Sequence, residues 1–194
     1  MPNMTIMAPS DEAECRKMLT TAVKLGAPAA VRYPRATGRG VAAGDGFETI
    51  PIGRARILRQ TKKNDFGRVV FFAFGSMVKN LWETALKFDA TVVDMRFVKP
   101  LDVETICRCA REHDLVVTAE EGVIAGGAGS GVLEVLSREG IVVPTLQIGL
   151  PDRFIAQGTA SELFVDARID NASVQSKISS RLQQLTGAVD GRFA

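Results

Sequence analysis

Val69-Val70-Phe71-Phe72-Ala73-Phe74 is an apolar run with no polar position in it. A strand with one wet face alternates apolar and polar side chains, whereas an unbroken run reads as a strand buried on both faces, the situation of a parallel strand covered by helices on either side. Thr91-Val92-Val93-Asp94-Met95 and Leu115-Val116-Val117-Thr118-Ala119 are nearly as continuous. Around them the pattern changes to helical spacing over 77–88, 102–112 and 130–138, with a further strand at 143–148 and a C-terminal helix over 171–185. This alternation predicts a three-layer α/β fold around a mostly parallel sheet of about five strands. Arg54-Ala55-Arg56-Ile57-Leu58-Arg59 alternates with charge instead. It is expected as an antiparallel edge strand.

Upstream of this sheet, residues 4–8 form a short apolar run closed by Pro9, and Ser10 is expected as the N-cap of a helix with Asp11 and Glu12 in its first turn. Cys15, Met18, Leu19 and Ala22 recur at the spacing of one buried face, and Gly26 with Pro28 stops the pattern. Ala29 to Tyr33 returns to extended structure. A strand–helix–strand unit of this size needs further strands beside it, and so reads as a fragment of a second α/β domain. Residues 36–50, ATGRGVAAGDGFETI, have no apolar period and are rich in glycine, which marks a linker and a domain boundary near residue 50. The expected organisation is therefore 1–50 and 51–194.

Composition excludes several classes of function. Lys and Arg number 24 against 22 Asp and Glu, with both signs scattered, so neither nucleic acid nor an acidic membrane surface is an indicated partner. No apolar stretch approaches the roughly 20 residues of a membrane span, and Met-Pro-Asn-Met lacks the look of a signal peptide. A cytoplasmic location is expected. Cys15, Cys107 and Cys109 have no C-x-x-C spacing and are read as reduced thiols. The single histidine, His113, lies among Arg111, Glu112 and Asp114 and is read as a surface residue at a helix end.

Catalytic constellations are hard to assemble from these residues. Gly126-Gly127-Ala128-Gly129-Ser130-Gly131 follows a strand and precedes a helix, but it misses the G-x-G-x-x-G spacing and has no P-loop lysine. Close backbone packing at a strand-to-helix turn, or at a subunit contact, is the expectation. Glu120 and Glu121 are adjacent on a strand and so point to opposite faces, which rules against a shared-proton dyad. Ser130 is not in a G-x-S-x-G elbow, and one histidine with scattered carboxylates makes neither a triad nor a metal shell. No catalytic, cofactor-binding or metal residue is expected.

Arg32 and Arg35, in Val31-Arg32-Tyr33-Pro34-Arg35, stand where a strand ends and a glycine-rich segment begins. Ligands of open α/β sheets gather at the carboxyl ends of strands, and a guanidinium offers a planar fork to phosphate oxygens. The same placement also suits arginines that are merely solvated or paired with a nearby acid.

Several strings recur together: Met7-Ala8-Pro9-Ser10-Asp11-Glu12, Arg32-Tyr33-Pro34-Arg35, Asp94-Met95-Arg96-Phe97-Val98-Lys99-Pro100-Leu101-Asp102, Glu120-Glu121-Gly122, Gly126 to Gly131, and Gly149-Leu150-Pro151-Asp152 with Gln157-Gly158. In order and spacing they resemble the C-terminal part of thiamine-diphosphate enzymes of the transketolase superfamily. R-Y-P-R together with G-L-P-D is most similar to the deoxyxylulose-phosphate synthase family within it. That resemblance implies a parent enzyme that decarboxylates pyruvate on thiamine diphosphate and transfers the two-carbon unit to D-glyceraldehyde 3-phosphate. It implies that 1–50 is the tail of the pyrimidine-binding domain plus linker, and that 51–194 is the mostly structural transketolase C-terminal domain.

The substrate phosphate would fall to Arg35, with Arg32 beside it. Thiamine diphosphate and Mg²⁺ would be held by the missing N-terminal domains, which are the expected partners of this piece, in a parent expected to be a homodimer. The chain alone would be inactive, with apolar surface left bare on residues 1–50. A stand-alone module working with a separate cofactor-binding chain, and the C-terminal half of a 2-oxoacid dehydrogenase subunit that docks an acyltransferase, are the alternatives.

Overall fold

Short strands and a helix open the chain: β1 (Thr5–Met7), α1 (Glu12–Lys24) and β2 (Ala29–Val31), with β2 parallel to β1. The structure is a computed structural model that describes residues 1–35 and 37–190. The N-cap of α1 is Asp11, whose carboxylate accepts the Glu14 amide at 2.9 Å. Ser10, expected in that role, instead donates its hydroxyl to Asp94 Oδ2 at 2.8 Å. The buried face of α1 matches its apolar spacing only in part: Met18 is in the core and Ala22 packs against it. Glu14, Met18 and Thr21 are buried, whereas Leu19 is 47% exposed. The inward turn of Glu14 is explained by the arginine it meets.

The remaining elements keep the alternation of strands and helices, with additions to those predicted. They are β3 (Arg56–Arg59), β4 (Val69–Ala73), α2 (Met77–Asn80), α3 (Trp82–Lys87), β5 (Thr91–Asp94), β6 (Phe97–Lys99), α4 (Val103–Glu112), β7 (Leu115–Val123), α5 (Ala128–Arg138), β8 (Thr145–Leu150), α6 (Ala160–Asp166) and α7 (Asn171–Asp190). Five of the strands form one sheet in the order β3-β5-β4-β7-β8. β3 lies at its edge and runs antiparallel to β5, and every other pairing in it is parallel.

The unbroken apolar run at 69–74 has the predicted cause. Val69, Phe71 and Ala73 face a core shared with α2, α3 and α7, and Val70, Phe72 and Phe74 face a second core shared with α4 and α5. Val174 and Ile178 close the first core, and Ile106 and Val132 close the second. Asp102 caps α4, accepting the Thr105 amide at 3.0 Å, and ties it to the edge segment by accepting the Ala55 amide at 2.9 Å.

Local patterns did not indicate all of the structure. The expected helix over 77–88 is split at Leu81 into α2 and α3. α6 was not expected, although Thr159 and Glu162 form a capping box whose T-x-x-E spacing was present in the sequence. His113 is not a surface residue. It is buried, with Nε2 2.7 Å from Thr91 Oγ1 and Nδ1 2.7 Å from the Cys109 carbonyl, and burial holds its pKa below the ordinary value. Its charged sequence neighbours hid an imidazole turned inward between β5 and α4.

β6 was also not foreseen, and it joins the two parts of the chain. It pairs antiparallel with β1, opposing Met7 to Phe97, and so completes a second sheet in the order β2-β1-β6. Phe97 packs with Met7, Met18 and Ile50 in a small third core. The approach to β6 carries the charges. Arg96, at φ 57°, donates from Nη2 to Glu14 Oε1 at 2.9 Å, with Nε lying 2.7 Å from Oε2 as an ion contact. Its carbonyl accepts the Ala8 amide at 2.8 Å. Removing one partner of a buried pair costs about 3–5 kcal/mol when the other charge is left unpaired, but Arg56 Nη1 also lies 3.6 Å from Glu14 Oε1 and keeps part of the compensation. Arg96→Ala is therefore expected to lose stability toward the lower end of that range in urea unfolding, with Glu14→Ala/Arg96→Ala losing much less than the sum of the single variants. Additive losses would contradict the pairing.

Candidate functional site

Three strand exits converge at the carboxyl ends of the two sheets. β2 runs into Arg32, whose amide continues the ladder by donating to the Met7 carbonyl at 2.8 Å. β4 runs into Gly75 and Ser76, where the left-handed backbone of Gly75 (φ 61°) lets the turn lie close to Ala8 and Pro9. β7 reaches Glu120 and Glu121 before its glycine-rich turn. Parallel strands deliver their ends to one side of a sheet, which is why residues distant in sequence meet here.

Arg32 and Arg35 are both exposed at this edge. Arg32 Nη2 donates to the backbone carbonyl of Glu121 at 2.9 Å. Farther along, Arg39 Nη2 donates to Asn80 Oδ1, and the Gly40 amide donates to Glu12 Oε1 at 2.8 Å. Gly38 lies so close to Glu12 that a Cβ there would stand 2.2 Å from the carboxylate. Sequence reasoning found Arg32 and Arg35 but not Arg39, Asn80 or Ser76. Only the fold brings β4, β7 and the segment after β2 together.

The adjacent glutamates point apart, as their alternation on a strand requires. Glu121 Oε1 accepts from Ser76 Oγ and, at 3.4 Å, from Asn80 Nδ2. Glu120 turns the other way and accepts the amides of Ala128 at 2.9 Å and Gly129 at 2.7 Å. Its carboxylate thus occupies the N-terminus of α5, the place where an external anion would otherwise be favoured. The glycines of this turn serve close packing. A Cβ on Gly127 would lie 2.1 Å from the Val123 carbonyl, and one on Gly129 2.5 Å from Thr118 Oγ1. Ser130 donates to the Ile124 carbonyl at 2.9 Å and has no base beside it.

Other chemistries find no centre among the described residues. No group of three or more His, Cys, Asp or Glu converges as a metal shell. Cys107 and Cys109 are buried free thiols, and burial pushes Cys109 up to about 11, far from a reactive thiolate. No described helix is long and apolar enough to cross a membrane.

Asp94 is fully buried at the end of β5, and burial raises its carboxyl to about 6 even though the Ser10 hydroxyl works the other way. The folded state therefore holds this proton over a range where the unfolded chain has released it. Stability from this group is complete below the ordinary aspartate value and declines as pH rises through about 6. His113, held low by burial, acts in the opposite sense, losing stability as pH falls, but it does so equally in a variant at Asp94. Between pH 5 and pH 8, Asp94→Asn is expected to gain about 1–2 kcal/mol on the unaltered chain in urea unfolding. A difference that stays constant with pH would refute this.

The sheet order with its antiparallel edge strand is that of a transketolase-type C-terminal domain. The family described as "Transketolase, C-terminal domain" matches residues 53–174, and the chain belongs to that family. Among curated proteins, it is 49% identical over 183 residues to the 1-deoxy-D-xylulose-5-phosphate synthase of Aliivibrio fischeri (strain MJ11), covering 94% of this chain and 29% of that protein. It is 46% identical over 194 residues to the enzyme of the same name from Ralstonia nicotianae, covering 100% of this chain and 30% of the relative. The chain thus spans less than a third of the length of these relatives. A solved structure described as "Split gene transketolase, inactive beta4 tetramer" superposes with a TM-score of 0.77 at 28% identity, covering 94% of this chain and 59% of that one.

Proposed function

We propose that this chain is the C-terminal portion of a 1-deoxy-D-xylulose-5-phosphate synthase, which condenses pyruvate with D-glyceraldehyde 3-phosphate and releases CO₂. The observation that carries this reading is an identity of 46–49% running over 94–100% of the chain to proteins of that name. Residues 1–50 are then the tail of the pyrimidine-binding domain with its linker, and 51–194 the C-terminal domain, in keeping with a family match that begins at residue 53. Arg35, assisted by Arg32, holds the phosphate of the aldehyde substrate as a charge-assisted partner. Support for that role comes from their exposure at the carboxyl ends of the strands.

Thiamine diphosphate and Mg²⁺ belong to the parent enzyme. The described residues offer no converging donors for the metal, so no step of the thiamine chemistry is assigned to them. The partners are the N-terminal domains of the parent, itself a cytoplasmic homodimer, with neither nucleic acid nor membrane involved. Leu19, Val23 and Phe47 give apolar surface for those domains to cover, being 47%, 84% and 74% exposed. Alone, the chain is inactive. The likeness to a split-gene transketolase supports a second reading, in which the cofactor-binding half is a separate polypeptide.

Calorimetric titration of the chain with thiamine diphosphate and Mg²⁺, followed by addition of pyruvate and D-glyceraldehyde 3-phosphate, is expected to give neither binding heat nor CO₂. Turnover by these residues alone would overturn the assignment. Activity restored by a separately expressed cofactor-binding chain would favour the second reading.

A further inference from the structure

Ser76 occupies the N-cap position of α2 with helical backbone and does not accept a backbone amide there; its hydroxyl is turned to donate to Glu121 Oε1. Asn80, at the other end of that helix, uses its amide nitrogen on the same carboxylate oxygen and its amide oxygen on Arg39. The main-chain carbonyl of Glu121 takes Arg32. One residue of β7 therefore reaches, through its backbone and through its side chain, an arginine on either side of Arg35. The segment from Arg32 to Gly40 has no helix or strand among its described residues, so these tethers, with the Gly40 contact to Glu12, set its course.

The acceptors chosen have a chemical consequence. Arg32 rests on a carbonyl and Arg39 on a carboxamide, both neutral. A carboxylate in either place would cancel the positive charge, whereas neutral acceptors orient the guanidinium groups and leave their charge to act on an anion. Glu121 is kept one step back, its carboxylate spent on a serine hydroxyl and an amide.

We propose that Glu121, acting with Ser76 and Asn80, is a positioning residue for the arginine segment 32–40, so that the five-stranded sheet sets how Arg35 meets the substrate phosphate. The proposal rests on the phosphate-binding reading given above and adds the residues that hold that site in place. Preorganised charge binds more tightly than charge on a loose loop, and its loss is felt by the phosphorylated substrate alone.

The test uses the full-length enzyme containing these residues, assayed with D-glyceraldehyde 3-phosphate and with unphosphorylated D-glyceraldehyde. Glu121→Ala is expected to raise KM for the phosphorylated aldehyde about tenfold, leaving KM for pyruvate and the kinetics with D-glyceraldehyde within about twofold. Glu121→Gln, which keeps an acceptor oxygen, should recover most of that loss. Asn80→Ala removes the Arg39 acceptor directly, whereas Glu121→Ala loosens it through Asn80 and Ser76 and leaves the carbonyl under Arg32 in place; Asn80→Ala should therefore raise the same KM by a comparable factor, and it serves if Glu121→Ala does not fold. Equal losses with both aldehydes, or an unchanged KM in all three variants, would overturn the proposal. Arg35→Ala separates the two claims. If it leaves KM for the phosphorylated aldehyde unchanged, the phosphate reading itself falls. If it raises that KM while Glu121→Ala does not, only the positioning role falls.

Discussion

The contact on which the rest of the structure depends is the buried pairing of Arg96 with Glu14. It joins the turn after β5 to the first helix across more than eighty residues of chain, and the neighbouring Ser10–Asp94 hydrogen bond repeats the connection. Two charges taken out of water require close geometry to offset their desolvation, so such a pair tolerates little misplacement. Around it, β6 adds an edge to the two-stranded N-terminal sheet and Phe97 enters its core. Residues 1–50 would bury little by themselves. Here they are held by a strand, an aromatic side chain and an ion pair, all supplied from the far side of residue 90.

That docking is what creates the arginine-bearing edge. With β1 hydrogen-bonded to β6, the exit of β2 is brought to the carboxyl ends of β4 and β7, and Arg32 meets Glu121. The two adjacent glutamates then divide into separate tasks by the alternation of a strand. Glu120 faces α5 and fills the anion-attracting start of that helix with the protein's own carboxylate, while Glu121 faces α2 and the arginine segment. The glycine-rich turn between them and α5 is accounted for by close approach of backbone and side chains.

Much of this was legible in the residues. Unbroken apolar runs identified the central strands because burial on both faces leaves no polar position, and charge alternation at 54–59 identified the edge strand because its arginines stay only partly covered while Ile57 and Leu58 turn to opposite cores. Arg32 and Arg35 were legible as a basic strand exit, since the end of an extended segment before a glycine-rich stretch has a local signature. β6 was not, because three residues leave no period to read. The Ser10 and His113 readings were wrong for one shared reason: each side chain has a local use that its sequence neighbours suggest, and a distant partner, Asp94 or Thr91, that takes it instead.

The sequence by itself determined the layer architecture, the kind of sheet and the position of the basic edge, because periodicity and capping are properties of neighbours along the chain. Only the tertiary structure decided which face of α1 is buried, where β1 finds its second partner, and which residues hold Arg32 and Arg39. Those choices depend on groups separated by tens of residues, and their energies come from excluding water between surfaces that do not exist until the chain has folded.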